Sequence, residues 1–193
     1  MTRSADPARS RRRGAVLMDA LFMAVLDELI DCGYAGLTIE RVAARAQTGK
    51  AAVYRRWPNK QALLLDTLRH VLPPLAEPDH NGSARDNLRE VFTALRQLLA
   101  GETRFPGLAI AFSLLSDDPL RAAFVDAIVA PRLTVIASIL DRAEQTGELP
   151  TRTPLAAHVG PALIVQTFLL TGAPPTDADL TSILDTVLPA SAS

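Results

Sequence analysis

The chain has 193 residues, of which 48% are hydrophobic and 21% are charged, and its formal net charge at pH 7 is −1. This composition supports one large or two small folded domains and excludes a chain that is disordered throughout. Cys32 is the single cysteine, which excludes an internal disulfide, a zinc finger and a paired-cysteine redox site and indicates a reducing compartment.

The charges are distributed unevenly along the chain. Residues 1–60 carry eleven Lys/Arg against six Asp/Glu, whereas residues 61–193 carry nine against fifteen. We therefore expect the N-terminal part to meet a polyanion. No apolar run is long enough to span a membrane, and Asp19 interrupts the apolar stretch after the first arginines. We expect a soluble cytoplasmic protein with no membrane partner.

The first 72 residues predict four helices. An amphipathic stripe predicts a helix from Arg13 to Cys32, which Gly33 ends; its members are Met18, Phe22, Val25, Leu29 and Cys32. Thr38 is a good N-cap for a short second helix. Residues 49–57 predict a third, ended by Pro58, and Asn59 can cap a fourth over residues 60–72.

Prolines and a glycine in residues 73–82 predict a connection, beyond which further helices follow. We expect one from Ser83 or Asp86 to about Ala100, a short one over 106–116, and a long one from Asp118 to about Gly147. Pro131 should kink the long helix. The last two should run from Thr153 to Leu170 and from Thr176 or Asp177 to just before Pro189. No strand pattern or repeat is visible, so the predicted class is all-α with roughly nine helices.

The second and third helices are joined by a tight turn, which predicts a helix-turn-helix. The third helix contains small residues at Gly49, Ala51 and Ala52, which would let its backbone approach base edges in a DNA major groove. Val53 and Trp57 are four residues apart and should point into the core. Lys50 and Tyr54 share another face, suited to phosphate or base contact.

The sequence of these helices resembles the DNA-binding domain of the TetR family of bacterial transcriptional regulators. The resemblance covers about residues 11–70 and rests on Gly33 to Ile39, Val42, Ala43 and Ala46, the run Lys50 to Lys60, and Leu63. The family's turn usually reads Ala-Gly-Val-Ser, whereas this chain has Ala46-Gln47-Thr48-Gly49. Gly49 thus replaces the usual capping serine, and Thr48 replaces a valine.

The resemblance implies a set of DNA contacts. Tyr54 and Lys60 are expected to meet phosphates, Thr38 to cap the second helix and touch a phosphate, and Lys50 to read a base edge. The full predicted surface comprises Thr38, Thr48, Gly49, Lys50, Ala51, Ala52, Tyr54, Arg55 and Lys60. The arginines Arg11, Arg12 and Arg13, in or beside a basic arm over residues 1–12, either contact DNA or belong to a solvated flexible tail, and both alternatives stay open.

The remainder of the chain resembles the family's ligand-binding and dimerisation domain. The implied organisation is the arm at 1–12, the DNA-binding domain with its connecting helix at 13–72, and the second domain at 83–189. In the family, the last two helices pair with those of a second subunit. Here their apolar stripes are suited to that role: Val159, Leu163, Gln166 and Leu170 on the first, and Leu180, Ile183, Leu184 and Val187 on the second.

The resemblance implies a homodimeric regulator, a repressor in preference to an activator, that binds a near-palindromic double-stranded DNA operator and is released by a small-molecule effector. Residues that either line an effector pocket or form plain core are Phe105, Phe112, Arg121, Phe124, His158, Gln166 and Phe168. No catalytic motif, cofactor fingerprint or metal-ligand spacing is present, so we expect neither an enzyme nor a cofactor. The competing interpretation is a small-molecule binding or sequestering protein with a vestigial helix-turn-helix.

Overall fold

The computed structural model describes residues 7–75, 77–100, 117–149, 153 and 155–189, with side chains from residue 16 onward. The chain divides into two compact units. The first contains Met1–His70 and Pro106–Ala123, and the second contains Val71–Phe105 and Phe124–Ser193. The sequence did not predict that residues 117–123 would group with the N-terminal helices.

Every secondary-structure element in the described ranges is helical, which confirms the predicted class. The elements are α1 Pro7–Gly36, α2 Ile39–Arg45, α3 Lys50–Tyr54, α4 Lys60–Val71, α5 Ala84–Leu99, α6 Asp118–Phe124, a π-helical turn Val125–Val129, α7 Ala130–Gln145, α8 Ala156–Thr171 and α9 Asp177–Val187. Because the π-helical turn joins α6 to α7, the described residues form eight separate helices.

Four of the predicted capping residues, Thr38, Asn59, Ser83 and Thr176, are confirmed. Thr38 Oγ1 accepts a hydrogen bond from the Arg41 backbone N–H at 3.2 Å, and Asn59 Oδ1 accepts one from Ala62 at 2.8 Å. Ser83 caps α5 in the same way, and Thr176 forms a reciprocal capping box with Asp179 at the start of α9. Gly33, with φ of 65°, interrupts helical geometry within α1. Local hydrogen-bonding chemistry therefore positions these helix ends.

Several boundaries differ from the prediction. The first helix begins at Pro7, so residues 7–12 of the expected flexible arm lie within it. Helix α3 ends at Tyr54, because the N–H groups of residues 56 and 57 both turn back to the Val53 carbonyl. The carboxylate of Asp117, not that of Asp118, accepts the Leu120 N–H at 2.8 Å. Helix α8 begins at Ala156, three residues later than expected. The helix predicted over 106–116 lies outside the described residues.

The core of the first unit joins the four N-terminal helices. Val25 and Leu29 of α1, Val42 of α2, Val53 of α3 and Leu63 of α4 are all fully buried. Val25 and Leu29 belong to the apolar stripe predicted for the first helix, and the inward direction of Val53 was also predicted. The burial of these side chains fixes α2 and α3 against α1.

The core of the second unit is built from α5, α7, α8 and α9. Phe92, Leu140, Ile164 and Leu184 are fully buried, one from each of these helices. Gly160 allows α8 to approach α5, because a Cβ atom at this position would lie 2.1 Å from the Phe92 ring. The absence of a side chain at residue 160 is thus a packing requirement.

The continuous helix over residues 118–145 is irregular immediately before Pro131. Its irregularity is the π-helical turn Val125–Val129, where the Ala130 N–H bonds to the Val125 carbonyl. Half-buried Arg132 donates to the carbonyls of Ile128 at 2.9 Å and Pro73 at 3.0 Å, and burial lowers the pKa of this guanidinium. By length and composition the helix could cross a membrane. However, its residues 136, 139, 140 and 143 belong to the core of the second unit, as in a core helix of a soluble protein.

Candidate nucleic-acid interface

The turn between α2 and α3 brings the two helices into a compact helix-turn-helix. Gln47 occupies the left-handed region with φ of 51°, and the Thr48 N–H bonds to the Ala43 carbonyl at 2.9 Å. Gly49 then adopts extended geometry as the N-cap of α3 without a side-chain hydrogen bond. Gln47 therefore sits where glycine would carry no steric cost.

Helix α3 has one buried face and one exposed face. Val53 is fully buried and Trp57, just beyond the helix, is 4% exposed. The exposed residues are Gly49, Lys50, Ala51, Tyr54 and Arg55, whereas Thr48 and Ala52 are half-buried. The helix thus presents small and cationic residues to solvent, and their exposure is what the predicted DNA contacts need.

Trp57 is a core residue, as predicted. Its Nε1 donates to Asp66 Oδ2 at 3.0 Å, and its ring meets that of Phe22 edge-on with centroids 6.1 Å apart. The Arg56 guanidinium lies 5.7 Å from the centre of the Trp57 ring. These contacts anchor the end of the helix-turn-helix to α1 and α4.

Lys60 lies at the first position of α4, where a positive charge opposes the helix dipole. Its ammonium donates to the Tyr34 carbonyl at 2.8 Å and lies 4.3 Å from the centre of the Tyr34 ring. Burial, followed by the charge of Asp117, raises the pKa of Tyr34. An ammonium has three donors, so these contacts leave capacity for a phosphate.

Tyr54 is 46% exposed, and its hydroxyl donates to Glu40 Oε1 at 3.2 Å. Burial, followed by the nearby carboxylate of Glu40, raises the pKa of Tyr54, so the hydroxyl keeps its proton at neutral pH. The sequence did not predict this contact between α2 and α3.

A buried carboxylate binds α2 to α1. Glu28 is 3% exposed and accepts from Arg41 Nε at 2.5 Å and from Arg45 Nε at 2.8 Å. Arg45 also contacts Asp31 at 2.6 Å. The hydrogen bond from Arg41 is the main cause that lowers the pKa of Glu28, and it outweighs the opposing effect of burial. The sequence did not predict this cluster, because it depends on how α2 packs against α1.

Charge is consequently segregated within the first unit. The acidic residues Asp27, Glu28, Asp31 and Glu40 lie on α1 and α2, where Arg41 and Arg45 neutralise only part of them. Residues 49–60 contain no acidic residue and four basic ones, Lys50, Arg55, Arg56 and Lys60. Within residues 16–60, the excess positive charge is therefore on α3 and the start of α4. The side chains of Arg11, Arg12 and Arg13 lie outside the described residues.

The predicted pocket residues do not line a cleft that the described residues of the second unit form. This cleft, of about 390 Å³, lies between residues 78–87 and the end of α7, and its polar lining includes Asp79, His80, Asn87, Arg142 and Glu148. Arg121, His158 and Gln166 are exposed elsewhere, and Phe124 and Phe168 are half-buried. Phe105 and Phe112 lie outside the described residues. Among the described residues, no group of three or more His, Cys, Asp and Glu side chains could hold a metal ion.

The two apolar stripes expected at a dimer interface face different surroundings. Leu180, Ile183, Leu184 and Val187 of α9 are buried in the core of their own chain. On α8, Val159 and Leu163 also pack against that core, but Leu169 and Leu170 are 62% and 77% exposed and Val165 is 38% exposed. The free apolar surface is therefore on α8, and the expectation that the α9 stripe would face a partner is corrected.

Comparison with known proteins identifies relatives over both units. Residues 24–67 match the family model described as bacterial regulatory proteins, tetR family, and residues 78–187 match the one described as tetracyclin repressor-like, C-terminal domain. The HTH-type transcriptional regulator Rv1556 of Mycobacterium tuberculosis is 30% identical, over 87% of this chain and 84% of that protein. The DNA-binding transcriptional repressor TetR of Mycobacteroides abscessus is 30% identical, over 91% of this chain and 94% of its own. The structure of FadR from Bacillus subtilis in complex with stearoyl-CoA superposes with a TM-score of 0.65 at 19% identity, covering 88% and 97% of the two chains.

Proposed function

Because this chain belongs to the TetR family of bacterial transcriptional regulators, we propose that it is a repressor that binds a near-palindromic operator as a homodimer and is released by a small-molecule effector. The observation that carries the proposal is the exposed cationic face of α3, held by the buried Val53 and Trp57. The family is a class of regulators and not of enzymes. We place the protein in the cytoplasm, where its DNA would be.

In this proposal α3 enters the major groove, which is about 12 Å wide and admits one helix with its side chains. Gly49, Ala51 and Ala52 allow close approach, and Lys50 and Arg55 are exposed beside them. Tyr54 and Lys60 donate to phosphates on either side of the groove. Thr38, the N-cap of α2, and Thr48, in the turn before α3, complete the surface.

Two copies of α3 must lie about 34–36 Å apart to enter successive major grooves on one face of DNA. The exposed Val165, Leu169 and Leu170 on α8 support self-association, because an apolar face of this kind gains free energy when a second copy covers it. We propose that α8 pairs with α8 of the partner and that the outer polar face of α9 lies beside it.

We propose that the effector binds in the second unit, where the half-buried Phe124 and Phe168 remain candidates for its apolar contacts. The structural neighbour FadR, in complex with stearoyl-CoA, supports a small organic molecule as the class of effector. Such a ligand releases DNA only if it binds better to the conformation with unsuitable α3 spacing. Helix α4 links the two units covalently, since its last residue, Val71, belongs to the second.

The proposal is tested by fluorescence anisotropy with the DNA upstream of the protein's own gene, over a range of salt concentrations. The wild-type protein should bind, and its affinity should fall as salt rises. Tyr54→Phe and Lys60→Ala should both weaken binding, and the lysine variant should lower the slope of log K against log salt by about 0.9 for one lost phosphate contact. Arg89→Ala, which removes an exposed cation from α5, is the control and should leave the slope unchanged. Binding without salt dependence, or no binding, would reject the proposal.

Lys50 has a different expected role from Tyr54 and Lys60, because it is exposed at the first position of α3. If it reads a guanine edge, Lys50→Ala should change the rank order of preferred sequences in a randomised operator library. A uniform loss of affinity with an unchanged rank order would instead assign Lys50 to the phosphate backbone.

A further inference from the structure

One carboxylate lies beside the proposed DNA-binding surface without a cation to neutralise it. Glu40 is exposed in the first turn of α2, and among the described residues no lysine, arginine or histidine pairs with it. Three carboxylates of α1 do have a cationic partner, because Asp27, Glu28 and Asp31 all contact Arg45. What Glu40 does contact is the Tyr54 hydroxyl, at 3.2 Å.

A tyrosine hydroxyl has a single proton to donate. While Tyr54 donates to Glu40, it cannot donate to a DNA phosphate, and a phosphate brought to the same hydroxyl would lie close to the Glu40 carboxylate. Like charges at such a distance repel, and the repulsion is screened by salt. Binding of DNA therefore requires the Tyr54 side chain to leave Glu40, or the carboxylate to turn away.

We propose that Glu40 restrains DNA binding by holding the Tyr54 hydroxyl and by opposing the phosphate that this hydroxyl would contact. This inference rests on the proposed function, in which Tyr54 meets the DNA backbone. Because phosphates are the same in every sequence, the restraint acts equally on operator and unrelated DNA. Glu40 thus lowers overall affinity without contributing to sequence preference. A purely structural role is the alternative, since an acidic residue in the first turn also favours the dipole of α2.

The test compares wild-type protein with Glu40→Gln, which keeps an acceptor oxygen but removes the charge. Binding is measured by fluorescence anisotropy with two duplexes, the DNA upstream of the protein's own gene and a mixed-sequence duplex of equal length. We expect Glu40→Gln to bind both about 3- to 10-fold more tightly, with a gain that shrinks as salt rises. Glu90→Gln, which removes an exposed carboxylate from α5, is the matched control and should bind like wild type.

The contribution of the hydroxyl is isolated in the Tyr54→Phe background. There Glu40→Gln should give a smaller gain, because no hydroxyl remains to be released. An equal gain in both backgrounds, a similar gain in Glu90→Gln, or no gain at all overturns the inference. A structural role predicts a lower melting temperature with unchanged or weaker binding, which also overturns it. Failure of the proposed function is distinguishable, because wild-type protein would then show no salt-dependent binding to either duplex.

Discussion

The two units differ in the kind of surface that they leave exposed. In the first, the exposed face of α3 carries Lys50, Tyr54 and Arg55, which are side chains that can hydrogen-bond and attract anions on their own. In the second, the exposed face of α8 carries Leu169 and Leu170, which gain free energy only when another surface covers them. The exposed face of α3 can thus bind a ligand by itself, whereas the exposed apolar face of α8 is stabilised only when a partner covers it.

Within the second unit, α8 and α9 refine this comparison. Apolar stripes were predicted for both helices, but α9 directs its stripe into the core of its own chain and α8 leaves part of its apolar surface free. Periodicity predicts that a helix face is buried, but it does not tell whether the chain itself or a second copy buries it.

The largest effect is expected from removing the apolar face of α8. The double substitution Leu169→Glu and Leu170→Glu should weaken self-association about 100-fold or more, because charges would have to be desolvated where leucines are expected to be covered. Analytical ultracentrifugation measures this change, with circular dichroism as the check on folding. The exposed substitution Leu155→Glu, at the other end of α8, serves as a comparison. If the wild-type protein sediments as a monomer at micromolar concentration, the exposed apolar face of α8 does not need a second copy to cover it, and the contrast between the two units is wrong.

The next effect concerns the packing of α8 on α5. Gly160→Ala should lower the free energy of unfolding by about 1–3 kcal/mol, because the new methyl group would overlap the buried Phe92 ring. The better helix propensity of alanine should offset up to about 1 kcal/mol of this loss. Urea denaturation measures it, and Phe92→Leu added to Gly160→Ala should recover part of the loss. Gly49→Ala, where a Cβ atom would meet nothing within 4 Å, should cost about 1 kcal/mol or less of unfolding free energy, because alanine is a poorer N-cap than glycine, and Phe92→Leu should not recover that loss.

A smaller effect is expected at the buried carboxylate of the first unit. Glu28→Gln should lower the free energy of unfolding by about 1–2 kcal/mol. This is a small effect for a buried ion pair, because both arginines reach solvent. The pKa of Glu28 is lowered below its ordinary value of 4.5, so its stabilising contribution is complete above that pH and is lost as pH falls through the folded value. Melting temperatures below pH 4.5 should therefore fall less steeply in Glu28→Gln than in wild type. Identical slopes would show that the cluster does not stabilise the charged form, and Glu90→Gln again provides the control.

The smallest effect is a gain in stability at the turn. Gln47→Gly should stabilise the protein by about 0.5–1 kcal/mol, because a residue other than glycine is strained at φ of 51°. Gln97→Gly, at an exposed position inside α5, should destabilise it by about 1 kcal/mol. If both substitutions destabilise, the left-handed conformation of Gln47 carries no strain that glycine relieves.

The sequence was most informative where local chemistry decides the structure. Thr38, Asn59, Ser83 and Thr176 could be assigned as caps because each needs only its own next turn, and the inward direction of Trp57 followed from its spacing from Val53. The contact of Tyr54 with Glu40 and the cluster at Glu28 could not be predicted, because they depend on how α1, α2 and α3 pack. The same limit applies to the pocket residues of the second unit, whose apolar spacing is common to core and cavity.

The segregation of charge in the first unit has a consequence for how the protein finds its target. Residues 16–45 of the first unit carry five carboxylates against two arginines, whereas residues 49–60 carry four cations and no carboxylate. This stretch therefore has an electric dipole, and the field of DNA exerts a torque on it before any contact forms. Collisions in which α3 leads are then favoured over those in which α2 leads. Arg41 and Arg45 contribute little to this rotation, because their charges are already compensated by the carboxylates of α1.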